Sequence, residues 1–163
     1  MQTADRTILL RTIRNALSGK GAHVEIASAF AGLDWKLAAA RPERAAHSVF
    51  QLLRHMSYWQ DWVVKWLDGQ NPAVARHASA GWPTEAGPAN AKDWERTVRR
   101  FRAGLKELNR RIGEPDLLAK PGRKTRLEML HAIASHNSYH AGQVVILRRM
   151  LGAWPPPSGG LTW

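Results

Sequence analysis

The chain has 163 residues, 44% of them hydrophobic and 23% charged, with a formal net charge of +11 and no cysteine. One domain spanning residues 1–163 is the expectation at that length, burying roughly two thirds of its unfolded surface, and a collagen, a coiled-coil rod and an acidic disordered chain are excluded. Lacking Cys, the chain builds no disulfide framework, thiolate metal site, iron–sulfur cluster or cysteine nucleophile, and any thiol chemistry needs a thiol from another molecule.

Polar and charged groups run through the first turns, Thr3, Asp5, Arg6, Arg11 and Arg14 among them, and no apolar run is long enough to span a membrane. A soluble, cytoplasmic protein is expected. Thr3 to Ser18 reads as the first helix, with Ile8, Leu9, Ile13, Ala16 and Leu17 at helical spacing and Gly19 and Gly21 beyond its end. Residues 23–33 place Val24, Ile26, Ala27, Phe30 and Leu33 on a broad apolar face, as a continuation of that helix or a short one of its own, and Asp34 to Ala40 adds a turn or two.

A better-marked start follows at Ser48-Val-Phe-Gln51, a capping box in which Ser accepts from an exposed helical N–H and Gln reaches back to the cap. This second long helix is predicted to run to Asp68, before Gly69-Gln-Asn-Pro72. Residues 69–90 form the longest loop, with Pro72, Gly81, Pro83, Gly87 and Pro88 and a Trp82 that requires burial. A third long helix spans about 90–112, with Trp94, Val98, Phe101, Leu105 and Leu108 inward. Thr125-Arg-Leu-Glu128 is another capping box and opens a fourth, ending near Leu151. The Pro- and Gly-rich tail from Trp154 to Trp163 is non-helical, its two Trp side chains expected across an end of the bundle. The fold class is therefore all-α, a four-helix bundle with long connections.

Bundle seams repeat at spacings of three and four, and this repeat places histidines inside. In the last helix Met129, Ile133, His136, His140, Gln143, Leu147 and Met150 follow it; in the second long helix Leu52, His55, Trp59, Trp62 and Trp66 do. Residues four apart on a helix stand side by side, so His136 and His140 can reach one ion, and His55 from a facing helix makes a His₃ set. For zinc such a set leaves a fourth position open, where the full charge of the ion favours thiolate over thiol or hydroxide over water. A lone inward His is more often a hydrogen-bonded core residue, but three in one core would need three sets of polar partners. His47, beside the Ser48 cap, is a candidate for the pocket edge, while His23, His77 and His131 read as structural or surface residues.

Three segments carry a family resemblance: Ala46-His-Ser-Val-Phe-Gln-Leu-Leu-Arg-His55 with Trp59, Ser135-His-Asn-Ser-Tyr-His-Ala-Gly-Gln143, and Leu151-Gly-Ala-Trp-Pro-Pro-Pro-Ser-Gly-Gly160. Together they resemble the DinB-like superfamily, which includes the YfiT-type metal-dependent hydrolases. The resemblance implies an up-down-down-up bundle with a divalent metal held at His55, His136 and His140. It also implies a choice of activities, since some members are thiol-dependent S-transferases or isomerases and others hydrolases. Leu161 stands where an acidic residue is expected from that family.

The function expected is therefore that of a metal-dependent enzyme, activating an exogenous low-molecular-weight thiol or water against a small-molecule substrate of anionic character. Zinc or nickel is expected first, with iron, cobalt or manganese as further candidates. Trp59, one turn beyond His55, is the first choice for a substrate contact, with Tyr139 and His47; Asn137 also adjoins the His pair. No second catalytic group is evident, because Glu128 has a capping role and Asp61 points away from His55 around its helix; this favours the thiol over the water version. The rivals are a nucleic-acid or polyanion-binding module, using Arg96, Arg99, Arg100, Arg102, Lys106, Arg110, Arg111 and the Lys120–Arg126 cluster, and a non-catalytic metal sensor. A Trp-rich bundle of this size suits a homodimer, although the sequence names no interface.

Overall fold

A computed structural model describes residues 3–74 and 76–160. Among these residues the chain is all-helical, with α1 (Thr3–Ser18), α2 (Trp35–Ala39), α3 (Val49–Leu67), α4 (Ala91–Ile112) and α5 (Arg126–Met150), two short 3-10 turns and no strand. The long helices begin where their caps dictate. Ser48 Oγ accepts from the Gln51 amide at 3.2 Å while the Gln51 side chain accepts from the Ser48 amide at 3.1 Å, and Thr125 and Glu128 do the same for α5. Each such cap is worth about 1 kcal/mol to its helix. Asn90 caps α4 by accepting from the Asp93 amide.

Packing sets α3 between α4 and α5, while α1 lies against α5 and α4. The interior falls into two apolar clusters. One gathers Ile26, Phe30, Phe50, Leu53, Met56, Phe101 and Val144, and the other Ile13, Leu17, Val63, Leu67, Leu108, Ile112, Leu130 and Ile133. Along α3 the change from the first cluster to the second falls between Met56 and Val63, and along α5 between Ala141 and Ala134. Those two intervals hold buried Ser57 and Gln60 on α3 and His140 and Asn137 on α5. A polar layer thus lies between two apolar ones.

Several expectations are corrected. Residues 23–33 are neither a continuation of α1 nor a full helix: Gly19 and Gly21, both at φ +82°, turn the chain out of α1, and only Ser28–Phe30 makes a 3-10 turn. Their apolar residues are nevertheless buried, Ile26 and Phe30 nearly completely, because an irregular segment can still cap a core. Ile8 and Met150, both placed inward by spacing, are 54% and 58% exposed. Met150 is the last residue of α5, and in the turn of α1 that holds Ile8 it is Leu9 and Leu10 that pack on the core. In the tail, half-buried Trp154 packs its ring so closely on Gly160 that a Cβ there would lie 2.2 Å from it; Leu161 and Trp163 lie outside the described residues.

Candidate metal centre

The two helices that border the polar layer bring three imidazoles together. One ring nitrogen from each of His55, His136 and His140 lies within 4.8 Å of the others, and the Nε2 atoms of His55 and His136 are 3.2 Å apart. His55 and His140 are buried, His136 half-buried.

Neighbours decide which nitrogen carries the proton. His55 Nδ1–H donates to the Gly81 carbonyl at 2.8 Å, and His140 Nδ1–H donates to Gln143 Oε1 at 2.6 Å. In the neutral ring this leaves the lone pair on Nε2 in both. Burial, the main cause, pushes the His55 and His136 pKa values down to about 4 and also lowers that of His140, with the neighbouring rings of the triad adding to the shift at His55 and His136. At neutral pH the group is therefore uncharged, with lone pairs available.

A divalent ion fits this donor set. Two nitrogens each about 2.0–2.1 Å from a tetrahedral ion stand about 3.3 Å apart, close to the 3.2 Å between His55 and His136. Without a cation or proton between them, facing lone pairs at that distance repel. The buried Nδ1 of His136 has no hydrogen-bond partner among the described residues, so the protein leaves this ring incompletely satisfied, unlike an ordinary core histidine.

The walls are aromatic. Trp82, delivered by the long loop, is sandwiched between His55 (centroids 3.9 Å apart, planes 9° from parallel) and His47 (3.6 Å, 10°). Trp59 stands edge-on to His55 and His136, each at 6.3 Å, and the Tyr139 ring is 5.1 Å from that of His140 and 66% exposed. The structure thus brings His55, His136 and His140 into one cluster, with Trp59 and Tyr139 on its margin and His47 one ring further out. Asn137 is fully buried with both amide atoms unpartnered among the described residues.

Gly81 and Trp82 were not assigned to the site by sequence. A glycine at 81 eases this close approach: a Cβ there would sit 3.2 Å from Trp59 Nε1 and 3.4 Å from His55 Nδ1, so its neighbours would have to give by a few tenths of an ångström. No local pattern announces a contact between residues 26 apart. Gln143, three residues after His140 and on its face, did carry a signal, although its task of holding the His140 tautomer is visible only in the fold. The acidic residues considered beside the triad are engaged elsewhere. Asp61 accepts from Arg100 at 2.5 Å and Glu128 accepts from the Thr125 amide and hydroxyl. Of the other histidines, His77 and His131 are exposed, and His23 bridges the Val24 carbonyl and the Ser138 hydroxyl.

Comparison with curated proteins and with solved structures returns no match. The DinB superfamily matches over residues 22–144, a span that contains His55, His136 and His140 and the Gly81–Trp82 segment packed on them. With most of its length and all three histidines inside that match, the chain belongs to the DinB superfamily.

Proposed function

We propose that the protein is a metal-dependent enzyme in which His55, His136 and His140 hold one divalent ion, zinc or nickel before iron, cobalt or manganese. The observation that carries this reading is the convergence of three neutral imidazoles, two of them locked with Nε2 unprotonated. An ion held by neutral ligands keeps its full charge and lowers the pKa of a thiol or water that binds it. The protein's own groups then position and shelter: the Gly81 carbonyl and Gln143 orient the ligand rings, and Trp59, Tyr139 and His47 face the substrate. A cavity of about 380 Å³, lined by His47, Leu52, Gln143, Ile146 and Leu147 among others, adjoins this surface and offers apolar contact to a small substrate.

The thiol version is favoured over hydrolysis, because Asp61 and Glu128 are both committed to other partners and hydrolysis ordinarily calls for a general base. The thiol comes from outside, since the chain has no Cys. The reading also includes the up-down-down-up order of the bundle, a cytoplasmic location and a homodimer. The polyanion-binding alternative is weakened by ion pairing: Arg96, Arg99, Arg100, Arg110, Arg111 and Arg126 each have a carboxylate neighbour.

Elemental analysis of untagged protein beside the His136→Ala variant tests the centre. One divalent ion per chain in the parent and a trace in the variant is the expected result, and equal metal in both would refute it. Metal-loaded protein is then assayed with a panel of low-molecular-weight thiols and electrophiles, against simple esters and amides. Turnover that requires a thiol supports the transferase version, turnover of esters without one the hydrolase version, and metal without either the sensor.

A further inference from the structure

Beside the Gly81–Trp82 segment, a cavity of about 300 Å³ lies between α3 and α4. None of the three histidines lines it. Its walls come from Arg54, Ser57, Tyr58 and Asp61 on α3 and from Asp93, Arg96, Thr97 and Arg100 on α4, both sets at spacings of three, one and three. Such spacing keeps each set on one helical face, so the lining follows from helix geometry, and residues Ala80–Pro83 close one end.

The charges in this cavity do not balance. Arg100 pairs with Asp61 across the two helices, and Arg96 pairs with Asp93. The Asp93 carboxylate also accepts from the Ala89 amide, so both acids are engaged. Arg54 has no carboxylate within 4 Å among the described residues; its guanidinium lies 5.7 Å from the centre of the Phe50 ring. Three arginines against two aspartates leave one positive charge in surplus, and a guanidinium presents five donors of which a single carboxylate contact uses only some. The Tyr58 hydroxyl makes no hydrogen bond among the described residues and lines the same space. Tyr58 and Pro83 supply apolar surface beside these donors, and Trp82, its faces covered by His47 and His55, adds a ring edge.

We propose that this cavity binds a small organic oxyanion, a carboxylate or phosphate ester, at a site separate from the histidine cluster. The oxyanion pairs with Arg54 and takes the remaining N–H groups of Arg96 and Arg100, since planar guanidinium groups match the geometry of both anions. The carbon skeleton lies against Tyr58 and Pro83 and meets the edge of Trp82. The volume is at the lower end for small-molecule sites, which restricts the ligand to about one ring. A ligand held there also braces the segment that supplies the Gly81 carbonyl to His55.

Calorimetric titration of the purified protein with phenyl phosphate, benzoate and inorganic phosphate tests the proposal. Saturable binding of the two aromatic anions, tighter than that of inorganic phosphate, is expected, and preference between them identifies the carboxylate or the phosphate as the favoured class. Arg54→Gln and Arg96→Gln should each weaken binding about tenfold or more. Arg102→Gln removes an exposed α4 charge that does not line the cavity and should change affinity less than twofold. His136→Ala should bind as the parent does, so failure of the metal reading leaves this result intact. Absence of saturable binding, equal effects at Arg54 and Arg102, or loss of binding in His136→Ala would each overturn the proposal.

Discussion

Two stretches of α5, about three turns apart, bury polar side chains in opposite ways. Near the helix end Arg148 is 2% exposed, yet its guanidinium donates to the carbonyls of Ala29 at 2.6 Å, Ala31 at 2.9 Å and Ala153 at 2.9 Å. Burial lowers its pKa from the ordinary value, but three of its five N–H groups have carbonyl partners and Trp154 lies over it. Around His136 the reverse holds: among the described residues, a ring nitrogen and both atoms of the neighbouring Asn137 amide are buried without partners. Buried polar groups with filled hydrogen bonds hold a fold together, and those left open are where a further group can bind. The first clamps the 3-10 turn and the tail to the helix; the second keeps donor atoms available.

Removing a member of each kind separates these roles. His136→Ala should reduce affinity for the divalent ion by more than 100-fold, because changes to neighbours of metal ligands alone commonly cost 10- to 100-fold. Its metal-free form should unfold at nearly the same denaturant concentration as metal-free parent protein, since the half-buried ring has no partner at Nδ1 among the described residues and its Nε2 faces the lone pair of His55. Arg148→Met should do the opposite. It leaves three carbonyls without their donor and should lower stability by roughly 2–4 kcal/mol, while metal content per folded chain is unchanged. A large stability loss in the first variant, or a loss of metal in the second, would erase the distinction.

Gln143 joins the two roles and sharpens the contrast. It is half-buried and accepts from His140 Nδ1, so Gln143→Leu should preserve folding and weaken metal binding by about 10- to 100-fold. Gln143→Glu supplies a stronger acceptor at the same reach and should retain or tighten binding. Competition titration against a chromophoric chelator measures both, and equal affinities in parent and Gln143→Leu would show that the His140 ring is held by its packing alone.

The difference between these regions also explains what was legible in the sequence. The three histidines lie on helices whose starts are marked by Ser48 and Thr125, so their inward positions follow from counting along a period. Nothing periodic links Arg148 to Ala29, 119 residues away, or Gly81 to His55. Those contacts arise when irregular segments fold onto helices, and an Arg in a last helical turn reads as an ordinary solvated cation. The same reason defeated the helical reading of residues 23–33, where the apolar pattern records burial and not the backbone that achieves it. On α4 the basic stripe is legible, but the carboxylates that neutralise much of it come partly from other elements, as Asp61 and Asp68 do from α3 and its cap.

The exposed end of that stripe gives the smallest expected effect. Glu107 accepts from Arg110 and Arg111, and the Arg110 hydrogen bonds are the leading reason its pKa falls to about 2 from 4.5. A carboxylate whose folded pKa is depressed contributes stability in full above its unfolded pKa and loses it as pH falls through the folded value. The stability gap between parent and Glu107→Gln should therefore be constant above about pH 4.5, narrow below it and vanish near pH 2. Because these side chains are substantially solvated, screening keeps the gap small, below about 1 kcal/mol, and salt should shrink it further. Urea unfolding of both proteins across that pH range, at low and high salt, measures it. A gap that persists below pH 2 would mean that Glu107 contributes through packing of its stem on α4, and not through the charge that distinguishes this solvated network from the neutral histidine cluster on α3 and α5.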